Sequence, residues 1–395
     1  MAIDFTLRPA QRELQHAARA FARAELVDVA AAIAPLGTPE ERFDALLPFY
    51  ASAVECGLLR SLVDGGLVEA ALVAEELAAV DVNVAATLVA DLLAVAPLLG
   101  AAAPEAADRV LAPLRATAGA PLAAVAFGEG DAESVARRDG SAWVLRGWQH
   151  DVANGYGWHG QGADVYVVAA RLAAGGQVVV VVPGRAPGLH ITGARDTAGH
   201  RAAIAPRIHF DDVRVGADDV VALPGESEKL LARASAVAAA LVGAMAAGVA
   251  RAAFDRALAH ARASAGLEEQ AVGFLLVDIK ARIEAIRSLT WRACAVVQRS
   301  GGRESELAVV SKVFASETAV QAVWDAMRVV GAEACSTHLP LAQLLADAVA
   351  YPLRHGSNLG VRRRHLHELL RADGYDALAS LDGDAPAPGP AAVAV

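Results

Sequence analysis

Apolar residues recur at helical spacing over residues 9–26, with Leu14, Ala18, Phe21 and Leu26 on one face. Pro9 is tolerated in the first turn, where its missing N–H would have had no intrahelical partner. The same period returns over residues 43–56, 67–80, 82–99 and 106–116, interrupted at Gly65-Gly66 and at Gly100. This pattern predicts a helical domain over residues 1–120. Near Pro121 the texture changes. Trp143/Leu145, Val165/Val167, residues 178–182, Leu189/Ile191, residues 204–210 and Val213/Val215 form short β-rich runs punctuated by Gly, Pro and Asp. No helical stretch separates them, so an antiparallel barrel or sandwich is expected over 121–224. After Pro224-Gly225 the helical period resumes in segments 226–264, 268–299, 303–330 and 338–370, which read as an antiparallel four-helix bundle within 225–375. The tail, 376–395, carries no core-forming period among its Pro, Ala and Gly and is expected to be disordered.

At roughly 150 residues per domain, 395 residues give two or three domains, and 55% hydrophobic content is enough to fill their cores. With 35 Lys+Arg against 45 Asp+Glu the net charge is -10, which repels phosphate backbones and argues against nucleic acid as a partner. The three cysteines, Cys56, Cys294 and Cys335, are far apart and show no metal-ligand spacing, so neither a disulfide framework nor a zinc site is suggested. The opening Met1-Ala-Ile-Asp-Phe5 is acidic where a signal peptide is basic, and a cytoplasmic location is expected. The small-residue stretch 234–250 is read as a buried bundle helix and not as a membrane span, because insertion favours Leu, Ile and Phe over Ala and Gly.

The chemistry is less openly written. Gly155-Tyr-Gly-Trp-His-Gly160 matches the dinucleotide fingerprint but is followed by a strand where that motif needs a helix, so it is read as a flexible loop between strands. No G-x-S-x-G is present, and the remaining histidines show no H-x-x-x-H, so hydrolase and metal sites lack support. The densest polar cluster, His355-Gly-Ser-Asn-Leu-Gly360, interrupts the last helical segment. It is either a solvated joint between helices or a pocket lined by His355 and Asn358, where a neutral imidazole suits proton transfer.

A set of phrases in fixed order resembles the acyl-CoA dehydrogenase superfamily of flavoproteins over nearly the whole chain to Arg371. They are Asp4-Phe-Thr-Leu-Arg-Pro-Ala-Gln-Arg12 with Phe21-Ala-Arg-Ala-Glu25, Glu55-Cys-Gly-Leu-Leu59, Ala71-Leu-Val-Ala-Glu-Glu-Leu77, Phe210-Asp-Asp-Val-Arg-Val215, Gly248-Val-Ala-Arg-Ala-Ala-Phe-Asp255, Gln270-Ala-Val272 and Ser311-Lys-Val-Phe-Ala-Ser316. The resemblance implies FAD between the β domain and the bundle, an acyl-CoA or acyl-carrier-protein thioester as substrate, and a homo- or hetero-oligomer, dimer or tetramer. Its register puts FAD contacts at Phe127, Gly128, Asp151, Ala153, Asn154, Ser357 and Asn358, and the catalytic base at His355.

This chain also departs from the family pattern. His355-Gly-Ser stands where a Glu-Gly-Thr is usual, and the alternative base position falls on Ala238. The Arg-x-x-Phe-Gly loop is shortened to Ala263-Ser-Ala-Gly-Leu267, His-Gly-Gly becomes Val330-Gly-Ala332, Thr-Glu-Pro becomes Phe127-Gly-Glu129, and Trp-x-Thr becomes Asp151-Val-Ala153. These changes imply FAD that is weakly held, shared with a partner subunit, or absent. Three readings follow: an acyl thioester oxidoreductase, a flavin-dependent monooxygenase, and a non-catalytic subunit paired with a complete homologue. Apolar positions at Phe274, Leu275, Trp291, Val309, Val313 and Trp324 are expected to feed an oligomer interface.

Overall fold

The computed structural model describes residues 6–98, 101–127, 134–336 and 339–376. The helical domain holds α1 (Pro9–Glu25), α2 (Val29–Ile33), α3 (Pro39–Asp44), α4 (Leu47–Glu55), α5 (Leu58–Asp64), α6 (Leu67–Ala78), α7 (Val82–Val95) and α8 (Pro104–Leu114). Local chemistry sets several of these boundaries. Thr38 and Glu41 cap α3 reciprocally, the Thr38 hydroxyl accepting from Glu41 N at 3.2 Å and the Glu41 carboxylate from Thr38 N at 3.0 Å. Asp81 starts α7 by accepting from Asn83 N at 2.9 Å and Val84 N at 2.8 Å.

The β domain contains β1 (Ala123–Ala126), β2 (Ser134–Asp139), β3 (Ala142–Gln149), β4 (Val165–Leu172), β5 (Gln177–Pro183), β6 (Leu189–Ile191), β7 (Ile208–Val215) and β8 (Val220–Ala222). They form one sheet in the order β6-β7-β3-β2-β4-β5-β8, with β1 also on β4. Most pairings are antiparallel, as expected, but β1 and β2 both run parallel to β4, matching Ala123 to Val165 and Val135 to Arg171. The two short strands lie one after the other along a single edge of β4, so both take the same direction. Strand β4 is buried on both faces, and the near-continuous apolar run from Val165 to Ala170 reflects this.

The bundle consists of α9 (Ser227–Ala263), α10 (Gln270–Ser300), α11 (Glu306–Val330) and α12 (Leu341–Ala350), followed after a break by the short α13 (Arg363–Leu370). Helix α9 is long and apolar enough to cross a membrane, yet 67% of its most apolar window is buried inside the fold. Its small residues allow close crossings: a Cβ on Gly248 would lie 2.5 Å from the Glu75 carbonyl oxygen of α6. The same crossing holds a buried ionic network. Arg251 donates to Glu75 at 2.8 Å and to Glu76 at 2.6 Å, Arg19 pairs with Glu76 at 2.8 Å, and Arg287 pairs with Glu75 at 2.9 Å. The network ties α1, α6, α9 and α10 together.

Candidate functional site

Helix α12 runs out at Tyr351, and the chain turns sharply before α13. His355 (φ 53°) and Gly356 (φ 78°) both take left-handed backbone. At 356 only glycine fits, since a Cβ would sit 2.7 Å from Nε of Arg362. The Ser357 hydroxyl accepts from Gly360 N at 3.1 Å, and Val361 N and Arg362 N both reach Ser357 O at 3.0 Å, giving a wide π-type turn over Asn358–Arg362.

Two buried cations hold this turn from inside. Lys312 on α11 is 0% exposed, and its Nζ donates to Gly356 O at 2.8 Å, Asn358 Oδ1 at 2.6 Å and Pro352 O at 3.4 Å. Arg362 donates through Nη2 to His355 O at 2.6 Å and through Nη1 to the Ser235 hydroxyl of α9 at 2.7 Å. Burial and the charges of Arg354, Lys312 and Arg362 pull the His355 ring down to about 3, so it is neutral at physiological pH.

The β domain meets this turn through two loops. Arg354 feels the charges of Asp151 and Arg195 from the β domain, and those two residues form an exposed ion pair. The loop at 197–203 presses onto α12, where a Cβ on Gly199 would meet Ala346 O at 2.1 Å. There His200 N donates to Asp347 Oδ1 at 2.7 Å and the His200 ring lies edge-on to Tyr351 at 4.8 Å. Desolvation drives His200 down to about 3 and Asp347 up to about 7. The Tyr351 hydroxyl is buried with no hydrogen-bond partner.

The expected contact residues fall in different places. Asp151 and Ala153 lie on the loop facing the bundle, the first exposed and the second half-buried; Phe127 is half-buried against the core, and Gly128 lies outside the described residues. Asn154 is buried, and its amide donates inward to Thr87 O at 2.9 Å, Asp91 Oδ1 at 3.1 Å and Ala123 O at 3.4 Å, so it fastens the loop to α7 and β1. Asn358 is likewise buried. Its amide donates to the Ser316 hydroxyl at 3.0 Å and to Glu317 Oε1 at 3.1 Å while its oxygen accepts from Lys312, so its polar atoms work within the turn. Ser357 is half-buried beside His355, and Ala238 is half-buried on α9.

The glycine-rich segment after Asn154 does join two strands, but it is packed and not loose. Trp158 stacks on Phe43 with ring centroids 4.7 Å apart and donates to Ala120 O at 2.7 Å, and a Cβ on Gly157 would collide with Gly162 O at 1.8 Å.

Beneath Asn154, the Tyr50 hydroxyl lies 2.7 Å from Asp91 Oδ2 and 2.6 Å from Pro121 O. A phenol has one proton for these two oxygens, so Asp91 supplies the other as a neutral acid, in keeping with a carboxyl that burial pushes up to about 8.

Sequence reasoning missed Lys312, Arg362, Tyr351, His200 and Ser235 as members of this site. Lys312 did carry a signal: it is the one charged residue on a helix face otherwise made of Ala308, Ala315, Ser316 and Ala319.

Family models for the acyl-CoA dehydrogenase N-terminal domain and C-terminal domain match residues 8–117 and 231–370. The chain is 33% identical to nitroalkane oxidase of Podospora anserina, covering 98% of this chain and 100% of that enzyme. The chain belongs to the acyl-CoA dehydrogenase family. It is also 30% identical to nitroalkane oxidase of Fusarium oxysporum, over 96% of this chain and 98% of the relative. Structures described as nitroalkane oxidase superpose with a TM-score of 0.91 at 30% identity, covering 96% of this chain and 100% of theirs. They comprise an active-site Asp-to-Asn mutant crystallised with 1-nitrooctane, a complex with spermine as a competitive inhibitor, and an analysis of the roles of an arginine and an aspartate seven positions apart.

The protein is thus a flavin-dependent oxidoreductase of this family, whose cofactor is FAD. The residues present fit that group. The His355 turn offers cations for its anionic parts and, at Tyr351, a buried hydroxyl without a hydrogen-bond partner among the described residues.

Proposed function

We propose that the protein oxidises small carbon acids in the manner of a nitroalkane oxidase, with His355 and Arg362 at the centre of the site. The observation that carries this reading is one of spacing and contact. His355 and Arg362 stand seven positions apart and are joined by the 2.6 Å bond at the break after α12, the same interval as the aspartate and arginine whose roles are analysed in the relative. In this chain an imidazole takes the place of the carboxylate.

FAD, when bound, supplies the acceptor for the electrons of the substrate carbon. The chain's own residues do the rest. Arg362 fixes the turn by bonding His355 O and Ser235, while Lys312 bonds Gly356 O, so the two peptide units on either side of Gly356 are both held. The uncharged ring can take a proton at an imidazole nitrogen. The three cations oppose that charge unless an anion forms or arrives beside it. Loop 151–153 from the β domain, with Ser357 and Arg354 from the turn, would hold the cofactor.

The acyl thioester reading takes second place, because nitroalkane oxidases match nearly the whole chain at 33% and 30% identity, against 26% for an acyl-CoA dehydrogenase matched over a similar length, and the base position lacks a carboxylate. A homo- or hetero-oligomer is also proposed, supported by Phe274 (61% exposed), Val277, Phe314 and Trp324 on the outer faces of α10 and α11; Val309 is instead buried. A cytoplasmic setting agrees with three unpaired cysteine thiols.

The test is anaerobic reduction of the FAD-loaded protein, followed by bleaching of the flavin, with 1-nitrohexane in either ionisation state and with butyryl-CoA. Bleaching by the nitro compound and not by the thioester is expected. Bleaching by the thioester alone overturns the proposal.

A further inference from the structure

We infer, building on the nitroalkane-oxidase-like reading above, that the His355 turn receives its substrate already ionised, as a planar nitronate-type anion and not as the neutral nitroalkane. The charge around the turn is the first ground. Lys312 Nζ lies 2.8 Å from Gly356 O and Arg362 Nη2 lies 2.6 Å from His355 O, which fixes two positive charges on the two successive peptide units that follow the His355 Cα, and Arg354 is the adjacent residue. Each neighbouring acid has a cation or donor of its own: Glu317 pairs with Arg363 at 2.8 Å and accepts from the Asn358 amide at 3.1 Å, Asp151 pairs with Arg195, and Asp347 accepts from His200 N and Gln343. An anion beside the His355 ring is attracted by Arg354, Lys312 and Arg362, and a cation there is repelled.

Proton demand is the second ground. A neutral carbon acid must lose a proton to a base, and the imidazole of the turn is surrounded by cations that oppose its protonation. A preformed nitronate needs no such base. Its overall oxidation balances as nitronate plus water giving aldehyde and nitrite: the carbon–nitrogen bond breaks, the oxygen of water becomes the carbonyl, and two electrons and two protons pass to FAD.

The third ground is a contrast with the relative, in which the polycation spermine competes with substrate. Imidazole in place of a carboxylate removes the partner that a polyamine would seek and leaves the positive residues to repel it.

Nitroalkanes ionise slowly, so neutral and pre-ionised 1-nitrohexane can be presented to the FAD-loaded protein at the same pH. The expected result is that the pre-ionised form bleaches the flavin at least about 100-fold faster, and that His355→Asp reverses the preference. Asp tolerates left-handed backbone almost as readily as His, so the variant is compatible with φ 53° at this position. Should it fail to fold, His355→Asn must keep the wild-type preference for the anion. Equal or faster reaction of the neutral form in the wild type overturns the inference. If neither form bleaches the flavin, the proposed function fails and the charge preference is decided by binding. Hexanoate, a carboxylate of similar shape, should raise the melting temperature of the FAD-loaded protein while spermine leaves it unchanged, and the opposite pattern overturns the inference.

Discussion

Two buried polar clusters lie within this fold, and they differ in how their cations are answered. At the α1–α6–α9–α10 crossing, Arg19, Arg251 and Arg287 each contact a carboxylate of Glu75 or Glu76, both almost fully buried. At the His355 turn, the partners of Lys312 and Arg362 include backbone carbonyls, a side-chain amide and a hydroxyl, and their charge bears on an imidazole that it helps keep neutral. The first cluster is close to charge balance and holds helices together. The second shapes a turn and sets positive charge around the His355 ring. A buried cation answered by carboxylates is mainly structural; one answered by carbonyls retains charge that a ligand can use.

The sharpest way to break this contrast is Glu76→Ala. Removing this carboxylate takes the partner of Arg19 and leaves Arg251 with Glu75 alone, and a stability loss of about 3–5 kcal/mol is expected by denaturant unfolding, with flavin reduction per bound FAD unchanged in the fraction that folds. Lys312→Met should cost less, about 1–3 kcal/mol, because it leaves Gly356 O and Asn358 Oδ1 without their donor. Unlike Glu76→Ala, it should also weaken hexanoate binding, measured through the melting-temperature shift.

The pH dependence of stability sharpens the comparison further. His200 and His355 titrate near 3 in the fold against 6.5 when unfolded, so below pH 6.5 the unfolded chain binds more protons and stability falls as the pH drops towards 3. Asp91 and Asp347, raised to about 8 and about 7 from 3.8, act in the opposite sense: the folded chain holds their protons, and stability falls as the pH rises from about 4 through those values. The two pairs offset each other between about pH 4 and 6.5, which predicts a broad plateau. Above it, melting temperatures should decline up to about pH 8, each group contributing up to about 1.4 kcal/mol per pH unit. Asp91→Asn, whose amide can donate to Tyr50 as the neutral acid does, should flatten that alkaline limb, and an unchanged limb would refute the proton assignment at Asp91. The smallest effect is expected at the exposed apolar face. Phe274→Lys with Trp324→Lys should lower the light-scattering mass towards 40.6 kDa while shifting the melting temperature little.

Much of this was legible in the sequence. Helical and strand periods place the three regions, and the break at His355 marks the site because polar residues and two glycines interrupt an apolar period there. What the sequence withheld is tertiary. Asn154 and Asn358 look like ligand contacts in one dimension, but their amides are used to fasten loops to helices. The parallel pairing of β1 and β2 depends on their sharing one edge of β4, which no local pattern encodes. The proton on Asp91 follows only from Tyr50 and Pro121 meeting beside it.

The central claim, that the cation-lined turn at His355 is the reaction centre, is tested most directly by the rate of flavin bleaching per bound FAD in Arg362→Gln, with pre-ionised 1-nitrohexane as reductant. The account predicts a fall of about 100-fold or more with FAD content retained, because the variant removes both the charge and the bond that fixes His355. A rate equal to that of the wild type would contradict it.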